Sequence, residues 1–228
     1  MYDVKNRKPA AELIAVPHEQ FGLITFEKVH TLEDGSCVYL TTEAFVEHEM
    51  SAEAPDYKYG VDVYRLSDVH QWLNSDQEKW WTEKIPGADE PSYEGAPGFM
   101  AGFAREFLEQ VRTVNIVCAG RDRKPHDVQT KFFLPSYTEL TGESNCGVME
   151  GVWWDAFREA FEARGLSGLM DRLRKKDATG RIYEWWWQRS CYPWHPDRFR
   201  SVNRDGNPDS RDDACYPFGG LAVACVIE

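Results

Sequence analysis

The alternation of apolar and polar positions near the start of the chain predicts a β-hairpin. Residues 21–26 and 36–41 are short runs rich in β-branched and aromatic side chains. Asp34 and Gly35 lie between them, and an Asp-Gly pair in this position is typical of a tight hairpin turn. We therefore expect the first two strands here, with residues 1–20 as a polar lead-in.

Two helices are predicted next along the chain. Ser67 precedes Val69, Trp72 and Leu73, which have the i, i+3, i+4 spacing of one helix face, so Ser67 is the expected N-cap. A second helix is expected over residues 99–111. Its apolar stripe comprises Phe99, Phe103, Phe107 or Leu108, and Val111.

The middle of the chain contains a capping box. Residues 115–119 are expected to form a strand and residues 120–129 a polar loop, before Ser136 and Glu139 begin a helix. The spacing of Phe157 and Phe161 predicts a longer helix over 155–164, which ends near Gly165 and resumes towards residue 176.

The C-terminal part reads as strands. Residues 183–189 are rich in Trp, and residues 199–203 alternate as a half-buried strand does. Arg204-Asp205-Gly206 is typical of a tight turn, and the apolar run 221–227 is expected in the middle of a sheet. Because no repeat or linker divides the sequence, we expect one domain over residues 21–228.

The segment 188–218 has an unusual polar composition. It contains many Arg, Asp, Tyr, Ser and Asn residues but no Lys, Glu, Leu or Ile. A solvated surface uses Lys and Glu freely, whereas Arg, Tyr, Ser and Asn are typical of contact surfaces. The segment is therefore a candidate binding face, and an irregular loop region facing water remains the alternative.

Charge excludes several classes of partner. The 228-residue chain has a net charge of −12, which disfavours nucleic acids and anionic membrane surfaces. No apolar run is long enough to cross a membrane, and the first residues lack the apolar core of a signal peptide. From these features we expect a soluble protein that is made in the cytoplasm and either stays there or leaves by a route that needs no signal.

Cysteine spacing predicts neither a metal site nor a cofactor site. The sequence has six cysteines, without a Cys-x-x-Cys pair or a His at zinc-ligand spacing. Free thiols are expected in a chain without an export signal. A bridge between Cys191 and Cys215 stays open.

Four separated phrases carry a resemblance to a known family. They are residues 67–75 (Ser-Asp-Val-His-Gln-Trp-Leu-Asn-Ser), 131–139 (Lys-Phe-Phe-Leu-Pro-Ser-Tyr-Thr-Glu), 186–190 (Trp-Trp-Gln-Arg-Ser) and 220–225 (Gly-Leu-Ala-Val-Ala-Cys). The chain resembles C-type lectin-fold variable proteins of diversity-generating retroelements from gut bacteria and their phages. It departs from that pattern at Gln188 and Cys191, and at Val223, where the family has Leu, Pro and Pro.

The resemblance implies a fold and a mechanism. The implied fold is α+β and C-type lectin-like, with small antiparallel sheets and flanking helices. In such systems an error-prone reverse transcriptase mutates adenines in a template copy, which then overwrites the 3′ end of the gene. Variable Asn-type codons cannot become Lys, Glu, Gln, Met or Trp, so Gln188 and Trp194 are expected to be framework or to arise from other codons.

The resemblance also implies a set of ligand-binding positions, with no catalytic residue among them. Protein or glycan targets on a cell surface are the expected partners, and oligomerisation is compatible with this role. The resemblance also implies that the protein, once made in the cytoplasm, is used on a virion, such as a phage tail, or on a cell surface. The candidate variable residues are Cys191, Tyr192, His195, Asp197, Arg198, Arg200, Ser201, Asn203, Arg204, Asp209, Ser210, Arg211, Asp212, Asp213, Tyr216 and Phe218.

Two alternatives stay open. One is a lectin of fixed specificity, in which Trp194 or Tyr192 stacks on a sugar; a calcium site in residues 203–209 lacks the register of a calcium loop. The other is an oxidoreductase like the formylglycine-generating enzymes that share this fold, with Cys215 and Cys225 as the thiols to consider. Cys225 lies in an apolar run and is expected to be a buried small side chain.

Overall fold

A computed structural model describes residues 12–52, 64–83, 90–120, 122–192, 195 and 197–228. These residues form an α+β fold of three antiparallel sheets and four α-helices. The lead-in residues 1–11, Arg121 and Trp194 lie outside the described part of the chain.

The largest sheet joins residues from both ends of the sequence. Its strands are β1 Leu13–His18, β2 Gly22–Thr31, β3 Cys37–Thr41, β6 Phe132–Phe133 and β10 Ala224–Ile227. They lie in the order β1-β2-β3-β10-β6, and all the pairings are antiparallel. The predicted hairpin is confirmed as β2–β3, and β10 lies between two strands, as its apolar sequence indicated.

The boundary of the lead-in at residue 20 was wrong. β1 begins at Leu13 and pairs along its whole length with β2. Its exposed and buried positions alternate, and the two buried positions are Val16 and His18. The apolar residues at positions 13–16 are consecutive and Pro17 follows them, so this edge strand lacks the alternating pattern of a half-buried strand.

Two smaller sheets complete the strands. The first pairs β4 Val114–Ala119 with β5 Pro125–Thr130, so the loop predicted over residues 120–129 was wrong. The second has the order β7-β8-β9, comprising Trp185–Cys191, Arg198–Asn203 and Ser210–Asp213. We call this second sheet the C-terminal sheet.

The first predicted helix is confirmed and the second is divided. α1, Asp68–Leu73, begins after Ser67, whose Oγ accepts a hydrogen bond of 3.2 Å from the N–H of His70. The stretch 99–111 forms a 3-10 helix, Phe99–Gly102, followed by α2, Arg105–Gln110. Extended backbone at the intervening residues separates the two, although the predicted aromatic stripe is buried.

Both later helices start and bend where the sequence indicates. α3, Tyr137–Thr141, has the predicted capping box between Ser136 and Glu139. α4, Asp155–Leu173, has non-helical backbone at Arg164 and Gly165, so the predicted break is confirmed. Within the described residues, no helix has the length and apolar character needed to cross a membrane.

Candidate ligand-binding surface

The Trp-rich strand β7 anchors the C-terminal sheet to the core. Trp186 and Trp187 are 1% and 0% exposed. Trp186 Nε1 donates to the Leu173 carbonyl at 3.1 Å, and Trp187 Nε1 donates to the His48 carbonyl at 2.8 Å. These two residues are therefore framework, as the alternation of side chains along a strand predicted.

Arg189 forms a buried ion pair below the sheet. Its guanidinium donates to both carboxylate oxygens of Glu139, at 2.5 and 2.8 Å, and to the Leu134 carbonyl at 2.9 Å. Burial lowers the pKa of Arg189, but the charge and hydrogen bonds of Glu139 outweigh it and leave the pKa above its ordinary value. The guanidinium also lies over the ring of Phe133, with the centroid 5.6 Å away.

Ser190 connects the same strand to a second buried carboxylate. Its hydroxyl donates to Glu150 and accepts a hydrogen bond of 2.8 Å from the N–H of Tyr137. Burial raises the pKa of Glu150, which also accepts from the N–H of Ala119 at 2.8 Å. We call Trp186-Trp187-Gln188-Arg189-Ser190 the motif floor, since all five side chains are buried beneath the face.

An apolar cleft of about 230 Å³ lies on the side of the molecule formed by β3, β4 and residues 150–154. The polar side chains that line it include Arg189, Glu139 and Glu150. Arg189 and Glu139 bind each other, and Glu150 binds Ser190 and backbone, so none is directed at a ligand. These three side chains are therefore engaged in contacts within the protein.

Beyond the motif floor, the polar side chains of β8 and β9 mostly pair with one another. Arg198 Nε lies 2.8 Å from Asp213 Oδ1. Ser201 Oγ donates to Asp212 at 2.8 Å, and burial raises the pKa of that carboxyl. We call the exposed and half-buried side chains of the described residues between 192 and 218 the outer face.

Four side chains form an alternating stack of rings and guanidinium groups. The Arg200 guanidinium lies 3.9 Å from the ring centroid of Tyr137 and 5.4 Å from that of Tyr192. On Tyr192, the Arg211 guanidinium lies at 4.6 Å and donates to the phenol oxygen at 3.1 Å. This stacked ladder runs from helix α3 to the outer strand β9, so it joins the outer face to the scaffold.

A second feature of the outer face is an aromatic corner formed by Trp185, Tyr216 and Phe218. The ring centroids of Trp185 and Tyr216 are 6.0 Å apart, and those of Tyr216 and Phe218 are 5.6 Å apart. Tyr216 is 48% and Phe218 57% exposed, so two large rings are available to a ligand. A Cβ on Gly219 would lie 2.0 Å from Trp187 Nε1, which explains glycine at the base of this corner.

The loop after β8 is a compact turn. Asn203 Oδ1 accepts hydrogen bonds of 3.0 Å from the N–H groups of Asp205 and Asn207. Gly206 has a φ of +85°, and a Cβ there would lie 1.9 Å from the Met170 carbonyl oxygen of α4. The predicted turn is confirmed. Among the residues that the structure describes, no group of three or more His, Cys, Asp or Glu is arranged to hold a metal ion.

The structure separates the candidate residues into three groups by exposure. The exposed positions are His195, Arg204, Asp209, Arg211, Asp213, Tyr216 and Phe218. The half-buried positions are Tyr192, Asp197, Arg198, Asn203, Ser210 and Asp212. Cys191, Arg200 and Ser201 are buried, so their expected place on the ligand-contacting surface was wrong. Arg200 is 7% exposed because Asp209, Asn145 Oδ1 and the Tyr137 ring surround its guanidinium.

The cysteines are free thiols, as expected. Cys215 is exposed whereas Cys191 is buried, and the thiol of Cys191 interacts with that of Cys146 instead. A hydrogen bond from Cys191, with the charge of Arg200, lowers the pKa of Cys146 to about 7 against the cost of burial. Cys225 is buried in β10, as its apolar surroundings indicated, and burial raises its pKa.

Sequence reasoning did not identify Tyr137 and Asn145 as part of the site. Tyr137 follows the capping-box serine and lies under Arg200. Asn145 donates to the Cys191 carbonyl at 3.0 Å and accepts from Arg200 Nε at 3.0 Å. Only the family resemblance of residues 131–139 drew attention to this region, and no spacing signal pointed to Asn145.

Comparison with known proteins places the chain in a family. No curated protein and no solved structure gives a significant match. The family model described as "Domain of unknown function (DUF6273)" matches residues 36–228. That range runs from the turn before β3 to the end of the C-terminal sheet and β10, and covers the motif floor and the outer face. The chain therefore belongs to the DUF6273 family of domains of unknown function.

Proposed function

We propose that this chain is a ligand- or receptor-binding protein that presents the outer face to a protein or glycan target, on a virion or a cell surface. The observation that carries the proposal is the division of partners within one segment. Side chains of the motif floor bind residues far away in the sequence, such as Glu139 and Leu173. Several outer-face side chains instead bind one another, as in the Arg198–Asp213 and Tyr192–Arg211 pairs.

A C-type lectin-like arrangement is the finer fold that we propose. β10 lies beside the β2–β3 hairpin, so strands from both ends of the sequence share one sheet. The C-terminal sheet carries the side chains of the outer face. It is joined to the core through β7, where the backbone N–H of Trp187 donates to the Gly220 carbonyl at 3.0 Å. This combination of a supporting sheet and a displayed sheet agrees with the architecture that the four sequence phrases imply.

We extend the proposal to diversification of the outer face by a retroelement. The exposed residue types at positions such as His195, Arg211 and Phe218 belong to the set that mutated Asn-type codons reach. Gln188, which that set excludes, is buried and donates to the Pro208 carbonyl at 2.6 Å. Gln188 therefore behaves as framework, which supports the codon interpretation.

A binding experiment tests the display function. Fluorescent full-length protein is applied to a panel of intact gut bacteria and to a glycan array. We expect the triple variant Arg211→Ala, Tyr216→Ala, Phe218→Ala to lose binding by about tenfold or more, since aromatic and Arg residues dominate interface energies. The folding of the variant is checked by its melting temperature.

The matched control removes equally exposed side chains elsewhere. Trp81 is 58% and Leu166 59% exposed, close to the 57% of Phe218. The variant Trp81→Ala, Leu166→Ala is expected to bind like the wild type. Equal loss of binding in both variants would contradict a localised outer face.

A genetic observation tests the diversification separately. The DNA flanking the gene is sequenced and searched for a near-copy of codons 185–225 beside a reverse transcriptase gene. A copy that differs from the gene only at adenines would support retroelement mutagenesis and identify the variable positions. Absence of a copy and of a reverse transcriptase gene would remove the diversification from the proposal and leave the binding function.

The aromatic corner favours a second candidate function, a glycan-binding module of fixed specificity. Two exposed rings, Tyr216 and Phe218, are suited to packing against the apolar face of a sugar. Selective signal on the glycan array, lost in Tyr216→Ala and present without a template copy in the genome, would favour this candidate.

A further inference from the structure

The arginines of the C-terminal sheet differ in how their charges are compensated. In this sheet and its loops, the pairs are Arg189–Glu139, Arg198–Asp213, Arg200–Asp209 and Arg204–Glu184. Arg211 is exposed, and none of the described carboxylates lies within 4.0 Å of its guanidinium. It is thus an arginine of this sheet that forms no ion pair with a described carboxylate, although its charge acts on the adjacent carboxyl of Asp212.

Arg211 is nevertheless held in place. Its guanidinium stacks 4.6 Å from the Tyr192 centroid, and Nη1 donates to the Tyr192 hydroxyl at 3.1 Å. Tyr192 is itself stacked on Arg200, which rests on Tyr137 of α3. Because the side chain is already ordered, a ligand would pay little conformational entropy to use it.

The bonded geometry leaves one edge of the guanidinium for a ligand. Nη1 is used by Tyr192, while the described residues provide no hydrogen-bond partner for Nε or Nη2. These two N–H groups form a planar fork that matches the two oxygens of a carboxylate. The neighbouring carboxyls have other partners for their oxygens: Asp213 pairs with Arg198, and Asp212 accepts from Ser201. Asp212 interacts with Arg211 through charge, without a hydrogen bond between the two side chains.

We infer that Arg211 is the anchor for a single carboxylate group on the ligand of the outer face. This inference rests on the proposed binding function and adds a ligand chemistry to it. A localised anion suits the site better than a polyanion does, since the net charge of −12 repels extended negative charge. The carboxylate comes either from an acidic sugar or from an acidic peptide.

Side-chain NMR of the full chain tests the anchor directly. The arginine Nε–H signals of the ¹⁵N-labelled protein are followed while sodium acetate replaces sodium chloride at constant ionic strength. We expect a saturable shift of the Arg211 signal, which is assigned by its absence from the spectrum of Arg211→Lys, and we expect the same shift of that signal in Arg204→Ala. Arg204 is the matched control because it is an exposed arginine of the same sheet.

Several outcomes would overturn the inference. Acetate that leaves the Arg211 signal unchanged would overturn it. A shift of the Arg211 signal that is equally large in chloride, or an equal shift of the Arg204 signal, would also overturn it, because either result indicates an adventitious ion only. The amide spectrum of Arg211→Lys serves as the folding check, and Tyr192→Phe, which keeps the ring but loses the hydroxyl, is expected to weaken acetate binding without abolishing it.

A second set of probes distinguishes the source of the carboxylate. Glucuronate is compared with glucose, and an N-acetyl-aspartyl peptide with its asparaginyl counterpart. If glucuronate binds more tightly than acetate, the carboxylate comes from an acidic sugar. If the aspartyl peptide binds more tightly than acetate, the carboxylate comes from an acidic protein segment. If the protein binds acetate but attaches to no cell or glycan, the carboxylate site at Arg211 is supported and the proposed binding function is contradicted. If the protein binds cells but no carboxylate affects Arg211, the binding function is supported and the carboxylate site is contradicted.

Discussion

The motif floor and the outer face belong to one stretch of chain, yet their side chains contact different parts of the molecule. Arg189 of the floor binds Glu139, which is fifty residues away in the sequence. Arg198 of the outer face binds Asp213, fifteen residues away on the adjacent strand. A substitution in the floor therefore disturbs the whole domain, whereas one in the outer face disturbs mainly its neighbours.

The difference shows how one sheet supports both stability and recognition. The floor side chains are fully buried, and their hydrogen bonds reach α3, α4 and the loop before α1. The outer face contributes ion pairs such as Arg198–Asp213 and Arg204–Glu184, which are partly or largely exposed, and exposed ion pairs stabilise a fold little. Residues of the outer face can thus be exchanged at small cost in unfolding free energy, which is what a binding surface of adjustable specificity requires.

The largest effect is expected for Arg189→Ala. The substitution leaves Glu139 buried without its cation, which costs about 3–5 kcal/mol of unfolding free energy. The matched control is Arg204→Ala, which breaks an exposed pair with Glu184 and should cost about 1 kcal/mol or less. Urea denaturation of both variants measures the comparison, and equal costs would contradict the distinction between floor and face.

An intermediate effect is expected for Arg200→Ala. Arg200 lies in the segment of the outer face but is buried against Asn145 and Tyr137, so its removal leaves buried acceptors unpaired at a cost of about 1–3 kcal/mol. The family resemblance implied that this residue is variable and can be exchanged freely. A loss below that of Arg198→Ala in the same urea experiment would restore that earlier interpretation.

The two thiols at the junction of the regions give a pH-dependent test. Cys146 is half-buried with a pKa lowered to about 7, and Cys191 is buried with a raised pKa. Because only the thiolate reacts, alkylation of Cys146 by iodoacetamide should increase with pH around a midpoint near 7, with Cys191 slower throughout. Peptide mass spectrometry follows both sites.

Arg200→Ala is the control for the thiol experiment. Its charge is one cause of the lowered pKa of Cys146, so the midpoint should move to higher pH in the variant. A wild-type midpoint near the ordinary value of about 8.5 would show that the two thiols do not interact in solution.

The smallest effect on stability is expected at the aromatic corner. Tyr216→Ala and Phe218→Ala remove exposed rings and should change the unfolding free energy by about 0.5 kcal/mol or less. Differential scanning calorimetry against the wild type measures this. A loss above about 2 kcal/mol in either variant would move these residues from the outer face to the framework.

Local signals in the sequence predicted much of the fold. The capping box at Ser136, the N-cap at Ser67 and the hairpin around Gly35 each depend on a few adjacent residues, so they are readable without knowing the tertiary structure. The break of α4 at Gly165 is local for the same reason. The α+β class followed from these elements.

Features that depend on distant partners were not predictable. β5 is mostly polar and exists because it pairs with β4, and only Val128 and Thr130 among its residues are buried. The break between the 3-10 helix and α2 leaves the aromatic stripe buried, so periodicity carried no sign of it.

The candidate site, like the fold, has features that the sequence predicted and features that depend on distant partners. Composition indicated a contact segment, and strand alternation indicated buried Trp residues beneath it. The burial of Arg200 and Cys191 depends on Asn145 and Cys146, which belong to a turn some fifty residues earlier. No spacing within the segment encodes that turn.

The position of β10 has a consequence for how such a protein is made. Ala224–Ile227 follow the outer face in the chain but lie between β3 and β6 in the main sheet. The ribosome must therefore translate the entire segment 188–218 before β10 can complete the main sheet. A frameshift or stop codon within that segment removes β10, so an incompletely translated copy fails to fold and is open to degradation. Under the diversification that we propose, folding acts as a reading-frame check on each new version of residues 188–218.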